Sequence, residues 1–196
     1  MKYLPFFDEI EKITVYDDLC KFLGVNDDGI LEFSYADIVK MSGHSCATVA
    51  GAYLIALKGL KELYGDQLPQ RGEIKVELKK GAREENAGVV GSVLANITGA
   101  TTDFGFGGIP GGKYCRRDLL FFNADIDTAV RFTRLDTNKS VGVNYMPQKV
   151  VNPMAILKKA IAPDATQADR DEFPVKFQEM VKTVFNNIDS VIEVQA

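Results

Sequence analysis

A single histidine, His44, stands two residues ahead of Cys46 in a chain of 196 residues that contains three cysteines. Imidazole and thiolate are ligands for soft divalent metal ions, and they are equally the parts of a nucleophile and its base. Within a helix, residues two apart point about 200° away from each other and cannot share a ligand. The pair therefore belongs to a helix entrance, with His44 in an extended turn and Cys46 in the first helical turn, where both side chains can aim at one point. Gly43 eases such a turn, and Ser42 or Ser45 supplies a cap for the free amides. The positive end of the helix dipole favours negative charge there, which suits a thiolate. On residue types alone, metal ligation, thiol catalysis and chance pairing all stay open.

The elements that must hold this pair surround "MSGHSCATVAGAYLIALKGLKEL", Met41 to Leu63. Val49, Tyr53, Ala56, Leu57, Leu60 and Leu63 fall three or four apart while Lys58, Lys61 and Glu62 take the other face, which predicts a long amphipathic helix. Ahead of it, "NDDG" predicts a turn, and "ILEFSYADIVKM" a short strand followed by a short helix from Tyr35 to Met41. Further upstream, Phe6, Ile10, Ile13, Leu19, Phe22 and Leu23 suit one or two amphipathic helices ending at Gly24, with Cys20 a small buried hydrophobe within the pattern.

From Gly72 the period changes. "EIKVELKKG" alternates Ile74, Val76 and Leu78 with charge, as a half-buried strand does. "EENAGVVGSVLANITG" returns to helical spacing with small residues suited to close packing, and Glu84, Glu85 and Asn86 at its start read as capping groups. "DLLFFN", "TAVRFTRLD" and "SVGVNYMP" predict three strands in an antiparallel meander beside the first. Beyond Pro147, "NPMAILKKAIA" and "DRDEFPVKFQEMVKTVFNN" predict helices, the second kinked or begun near Pro174, and "SVIEVQ" a closing strand or arm. This order predicts an α+β fold, a mostly antiparallel sheet with helices packed on it and a long central helix after the His-x-Cys turn. One domain is expected over residues 1–196, with a core of about 30–146, a helical segment 1–29 and a helical appendage 147–196.

A composition 46% hydrophobic and 26% charged supports a real core. The net charge of -4, with Lys and Arg dispersed, argues against nucleic acid as a partner. Asp8 and Glu9 interrupt the first apolar run, so no signal peptide is expected, and no stretch approaches the roughly 18 apolar residues of a membrane span. The expectation is a soluble, cytoplasmic protein that does not enter membranes. Three cysteines without a CxxC pair argue against a disulfide framework and a four-cysteine zinc ribbon.

"GHSCATVAGAYLIALKGLKELYG" resembles the amino-terminal signature of the FmdE-like family of formylmethanofuran dehydrogenase components, which shows Gly-His-x-Cys-Pro-Gly before a small-residue helix. The resemblance extends, more weakly, from about Ile38 to Val143. It implies that His44 and Cys46 are metal ligands, commonly for zinc, in a cleft of an intertwined α+β homodimer. Ala47 and Thr48 stand where the family has Pro and Gly, and in "NITGATTDFG" Ala100 occupies the position of the family's downstream cysteine. Cys115 is then expected to act as the replacement third ligand, carried on a longer loop, with Asp103 a fourth ligand or a partner of the His44 ring. No cysteine follows Cys115, so the carboxy-terminal zinc finger of some relatives is absent.

That loop, "TTDFGFGGIPGGKYCRR", holds five glycines between Gly105 and Gly112 and matches neither a P-loop nor a dinucleotide fingerprint. Lys113, Arg116 and Arg117 follow the glycines, and three cations beside exposed amides suit a small anionic ligand such as a carboxylate or phosphate. A flexible hairpin with solvated charges is the plainer reading. If Cys115 reaches His44, Phe104, Phe106 and Tyr114 wall the same cleft for a planar ligand. The function expected is binding of zinc or a similar metal at a site open to a small molecule. The alternatives are a metal-free enzyme with Cys46 as nucleophile and His44 as base, and a noncatalytic dimeric module that binds a metal or ligand. A Ser-His-Asp hydrolase finds no support, since no GxSxG elbow exists.

Overall fold

A computed structural model describes residues 3–196. A 3-10 turn at Pro5–Glu9 leads into β1 (Ile13–Tyr16), α1 (Asp18–Phe22), β2 (Ile30–Phe33) and α2 (Tyr35–Ser42). Then come α3 (Ala47–Tyr64), β3 (Ile74–Leu78), α4 (Ala87–Thr98), β4 (Leu120–Phe121), β5 (Val130–Arg134) and β6 (Ser140–Tyr145). The chain closes with α5 (Pro153–Ile161), α6 (Gln167–Asn186), α7 (Ile188–Val191) and β7 (Ile192–Gln195). The fold is α+β. Among the described residues no helix is long and apolar enough to cross a membrane.

Three expectations are corrected. Ile13–Tyr16 is a strand, not helix: Ile13 and Val15 alternate inward against Thr14 and Tyr16, and β1 pairs antiparallel with β2, Ile13 opposite Phe33. The apparent helical spacing came from two different elements. The main sheet is mixed, in the order β4-β3-β5-β6-β7. β3 pairs antiparallel with β5, but α4 carries the chain back along β3 so that β4 joins it parallel. α6 begins at Gln167 and runs through Pro174, its start fixed by a capping box in which Thr166 and Asp169 bond each other's backbone amides.

α3 decides the layering. Apart from Thr48 its first half is buried, and only its last turns show the polar face the spacing predicts. A helix that is apolar nearly all round must lie inside, and α3 does so, with the sheet on one side and α2, α4 and α6 around the rest. The Tyr53 hydroxyl bonds the carbonyls of Glu11 at 2.7 Å and Phe33 at 2.9 Å, tying its middle to the β1-β2 ribbon. Close approach to the sheet depends on glycine: Gly51 faces the Tyr145 ring, and Gly59 faces Phe132 and Val143, with no room for a Cβ in either case. Tyr145 cannot swing aside, because its hydroxyl is held by the Ala47 carbonyl at 2.7 Å.

This packing predicts that Gly51→Ala is destabilising although alanine is the better helix former. Overpacking costs about 1–3 kcal/mol against a gain of up to about 1 kcal/mol in propensity. A net loss of about 1–2 kcal/mol is expected, read as a lower urea midpoint at unchanged slope.

Candidate functional site

The His-x-Cys turn joins α2 to α3. α2 ends in Gly43, whose φ of +75° suits glycine and whose N–H returns to the Val39 carbonyl, so the chain reverses sharply before His44. Cys46 is itself the cap of α3: its Sγ accepts the Val49 N–H at 3.4 Å. Neither Ser42 nor Ser45 takes that part, because the Ser45 hydroxyl is paired with the Tyr35 hydroxyl at 2.9 Å. His44 is exposed, and its Nδ1 lies 2.9 Å from the Ser42 carbonyl oxygen. A carbonyl only accepts, so Nδ1 carries the hydrogen and Nε2 keeps the lone pair of the neutral ring.

Residues distant in sequence hold this turn. Gln178 of α6 donates to the Ser45 carbonyl at 3.0 Å, Tyr35 holds the Ser45 side chain, and Tyr145 holds the Ala47 carbonyl. Backbone on both sides of Cys46 is thus fixed by α2, α6 and β6. Burial, with the nearby Cys46 adding to it, pushes both tyrosine hydroxyls well above their ordinary titration range, so both stay protonated donors. Spacing gave no sign of Tyr145 or Gln178, which stand 98 and 133 residues from their partners.

Cys115 does not meet this turn. It lines a polar cavity of about 450 Å³ together with Lys113, Arg117, Glu73, Asp18 and Leu135. The neighbour of Leu135, Arg134, stacks its guanidinium on Tyr64, the last residue of α3. His44 and Cys46 stand at the other end of that helix, which spans about 27 Å at 1.5 Å per residue over its 18 residues. Ala100 is buried just beyond α4, whose final residue Thr98 accepts the Gly72 N–H, so it too lies at the far end. Asp103, exposed beside Thr102, belongs to the same loop. Among the described residues no three His, Cys, Asp or Glu side chains gather as a metal-binding group. Cys20 is buried, its thiol 3.6 Å from Asn26.

The three cations after the glycines are also separated. Lys113 and Arg117 are exposed, but Arg116 turns inward, with Nη2 2.8 Å from Oδ1 of Asp17 and Nη1 donating to the Arg71 carbonyl. Arg71 takes the other Asp17 oxygen at 2.7 Å, and the Cys20 N–H adds a third bond. Burial alone would raise the Asp17 carboxyl; bonds from Arg71 and Cys20 and the charge of both arginines outweigh it and hold it below the usual carboxylate range. Arg116 therefore clamps the loop to the protein and is not free to receive a ligand. Burial also raises the Glu73 carboxyl, against the opposing charge of Arg116.

Compared with protein-family models and with curated proteins, the chain matches none.

Removing one member of a buried charge cluster leaves the others unpaired. Asp17→Asn is expected to lose about 3–5 kcal/mol at neutral pH by chemical denaturation. The folded carboxyl titrates below its unfolded value, so its contribution is present above about pH 4 and fades as pH falls through the folded value. The gap between wild type and variant should narrow in acid.

Proposed function

We propose that this chain is a metal-binding protein of the FmdE-like type associated with formylmethanofuran dehydrogenase, holding zinc or a similar soft divalent ion at the entrance of α3. His44 Nε2 and Cys46 Sγ are the ligands. The observation that carries the reading is the held turn: a ring whose other nitrogen is committed to the Ser42 carbonyl, two residues from a sulfur at a helix start whose flanking residues are held by Tyr35 at the Ser45 hydroxyl, Gln178 at the Ser45 carbonyl and Tyr145 at the Ala47 carbonyl. Imidazole and thiolate fit zinc in kind and occupy two of its four positions, leaving the rest to water, a small-molecule ligand or a second copy of the chain. Bound there, the ion supplies Lewis acidity to whatever shares its open positions. The working form in this reading is a homodimer in the cytoplasm; Met154, Ile161 and Val175, apolar and exposed on α5 and α6, support such a partner.

A second reading rests on the same cap: Cys46 as a nucleophile with His44 as its base and no metal. Alkylation separates the two, since zinc slows iodoacetamide labelling of Cys46 only if zinc is bound there.

The deciding measurement is elemental analysis and zinc titration of protein purified without a metal-affinity tag. Wild type is expected to retain up to one ion per chain, His44→Ala and Cys46→Ser to lose it, and Cys115→Ser to keep it. Retention unchanged in His44→Ala would overturn the assignment.

A further inference from the structure

The cavity of about 450 Å³ beside the glycine loop is within the range of small-molecule sites, and charges of both signs share its wall. Lys113 and Arg117 supply two cations, Asp18 and Glu73 two carboxylates. Among the described residues none of the four belongs to an ion pair. Their side chains meet only neutral partners: Asp18 accepts the Tyr16 hydroxyl at 3.1 Å, and Nε of Arg117 donates to the Gly105 carbonyl at 2.9 Å. Elsewhere in the chain neighbouring opposite charges do pair, as Asp17 does with Arg71 and Arg116, and Glu77 with Arg131.

That arrangement decides the class of occupant. A plain anion, as the glycine loop suggests, meets Asp18 and Glu73 as well as the two cations, and a plain cation meets Lys113 and Arg117. A molecule that carries one ammonium and one carboxylate satisfies both sets. Burial raises the Glu73 carboxyl, Arg116 opposes it, and the charges of Asp136 and Asp18 add to the rise, a repulsion that an ammonium beside Glu73 relieves. The amides of Lys113, Tyr114 and Cys115, three successive residues of the wall, have no hydrogen-bond partner among the described residues, which suits a carboxylate next to Lys113. Leu119 and Leu135 supply the hydrocarbon part of the lining. The wall is held before any ligand arrives: Arg116 anchors the loop to Asp17, and the Tyr114 ring lies 5.3 Å from that of Phe22.

We propose that this cavity binds a small zwitterion of the amino-acid or short-peptide kind, its ammonium beside Asp18 and Glu73, its carboxylate on Lys113 and Arg117, and an aliphatic side chain against Leu119 and Leu135. The site needs no metal at His44 and Cys46 and stands apart from that reading.

The test is a titration of ¹⁵N-labelled protein, dialysed against a chelator so that an amino acid bound to a metal cannot mimic the site. The probes are L-leucine, glycyl-L-leucine, 4-methylpentanoate and 3-methylbutylamine, the last two being leucine without its ammonium and without its carboxylate. A zwitterion is expected to saturate one site per chain about tenfold more tightly than either single-charge relative, the worth of one charge-assisted hydrogen bond. The largest amide shifts should fall between Lys113 and Arg117. Tighter binding of L-leucine than of glycyl-L-leucine assigns the free amino acid, and the reverse a peptide. Glu73→Gln should narrow the preference over 4-methylpentanoate, and Lys113→Gln the preference over 3-methylbutylamine, since each removes a charge that discriminates. Equal affinity for zwitterions and single-charge relatives, shifts centred elsewhere, preferences unchanged in both variants, or no saturation by either zwitterion at millimolar concentration would each overturn the proposal. If a variant does not fold, the comparison of probes on the wild type decides.

Discussion

Burial of α3 on almost every side is the constraint from which the rest of this structure follows. An apolar helix of that length leaves water only if other elements surround it, and the five-stranded sheet, α2, α4 and α6 do so. Gly51 and Gly59 let it lie close enough to the sheet for Tyr145 and Phe132 to pack against its backbone. Once enclosed, its two ends become separate environments that share no side chain.

At its start, burial supplies what the first turn cannot make for itself. Tyr145 and Gln178 reach the backbone on either side of Cys46, and Tyr35 the Ser45 hydroxyl, because the helix beneath is fixed against their own elements. A cysteine capping an exposed, frayed helix would sample many positions; here the sulfur and the neighbouring histidine are presented by a turn with little freedom. A cavity of about 510 Å³ beside this turn, lined by Thr48, Leu78, Ala87 and Tyr145 among others, has the same origin. α3 and α4 begin at one level because β3 runs back along α3 before α4 sets out, and that return places two amino ends beside each other.

At its far end the same helix is followed by Arg71 and Gly72, and there Asp17 gathers two arginines from segments far apart in the chain. A buried carboxylate demands such partners, so Arg116 is drawn inward and the glycine loop is anchored at its base. The loop's aromatic and cationic residues consequently face a different part of the surface from His44, and its thiol opens onto a cavity of its own.

Periodicity by itself determined α2, α4, β3, β5 and β6, because each has one inward face and a repeat of its own, and it marked α3 through the polar positions of its last turns; the placement of His44 and Cys46 at a helix entrance was legible from the same local pattern. It misplaced β1, where inward residues of a strand and a neighbouring turn mimicked a helix, and it did not show the parallel pairing of β4, which depends on where α4 returns the chain. Within one chain Cys115 lies in a different cavity from His44 and Cys46, and Arg116 turns inward to Asp17: residue types state what a side chain can bind, but which side chains meet is set by the length of α3 and by the demand of Asp17 for buried partners. Those are properties of packing, and only the tertiary structure decided them.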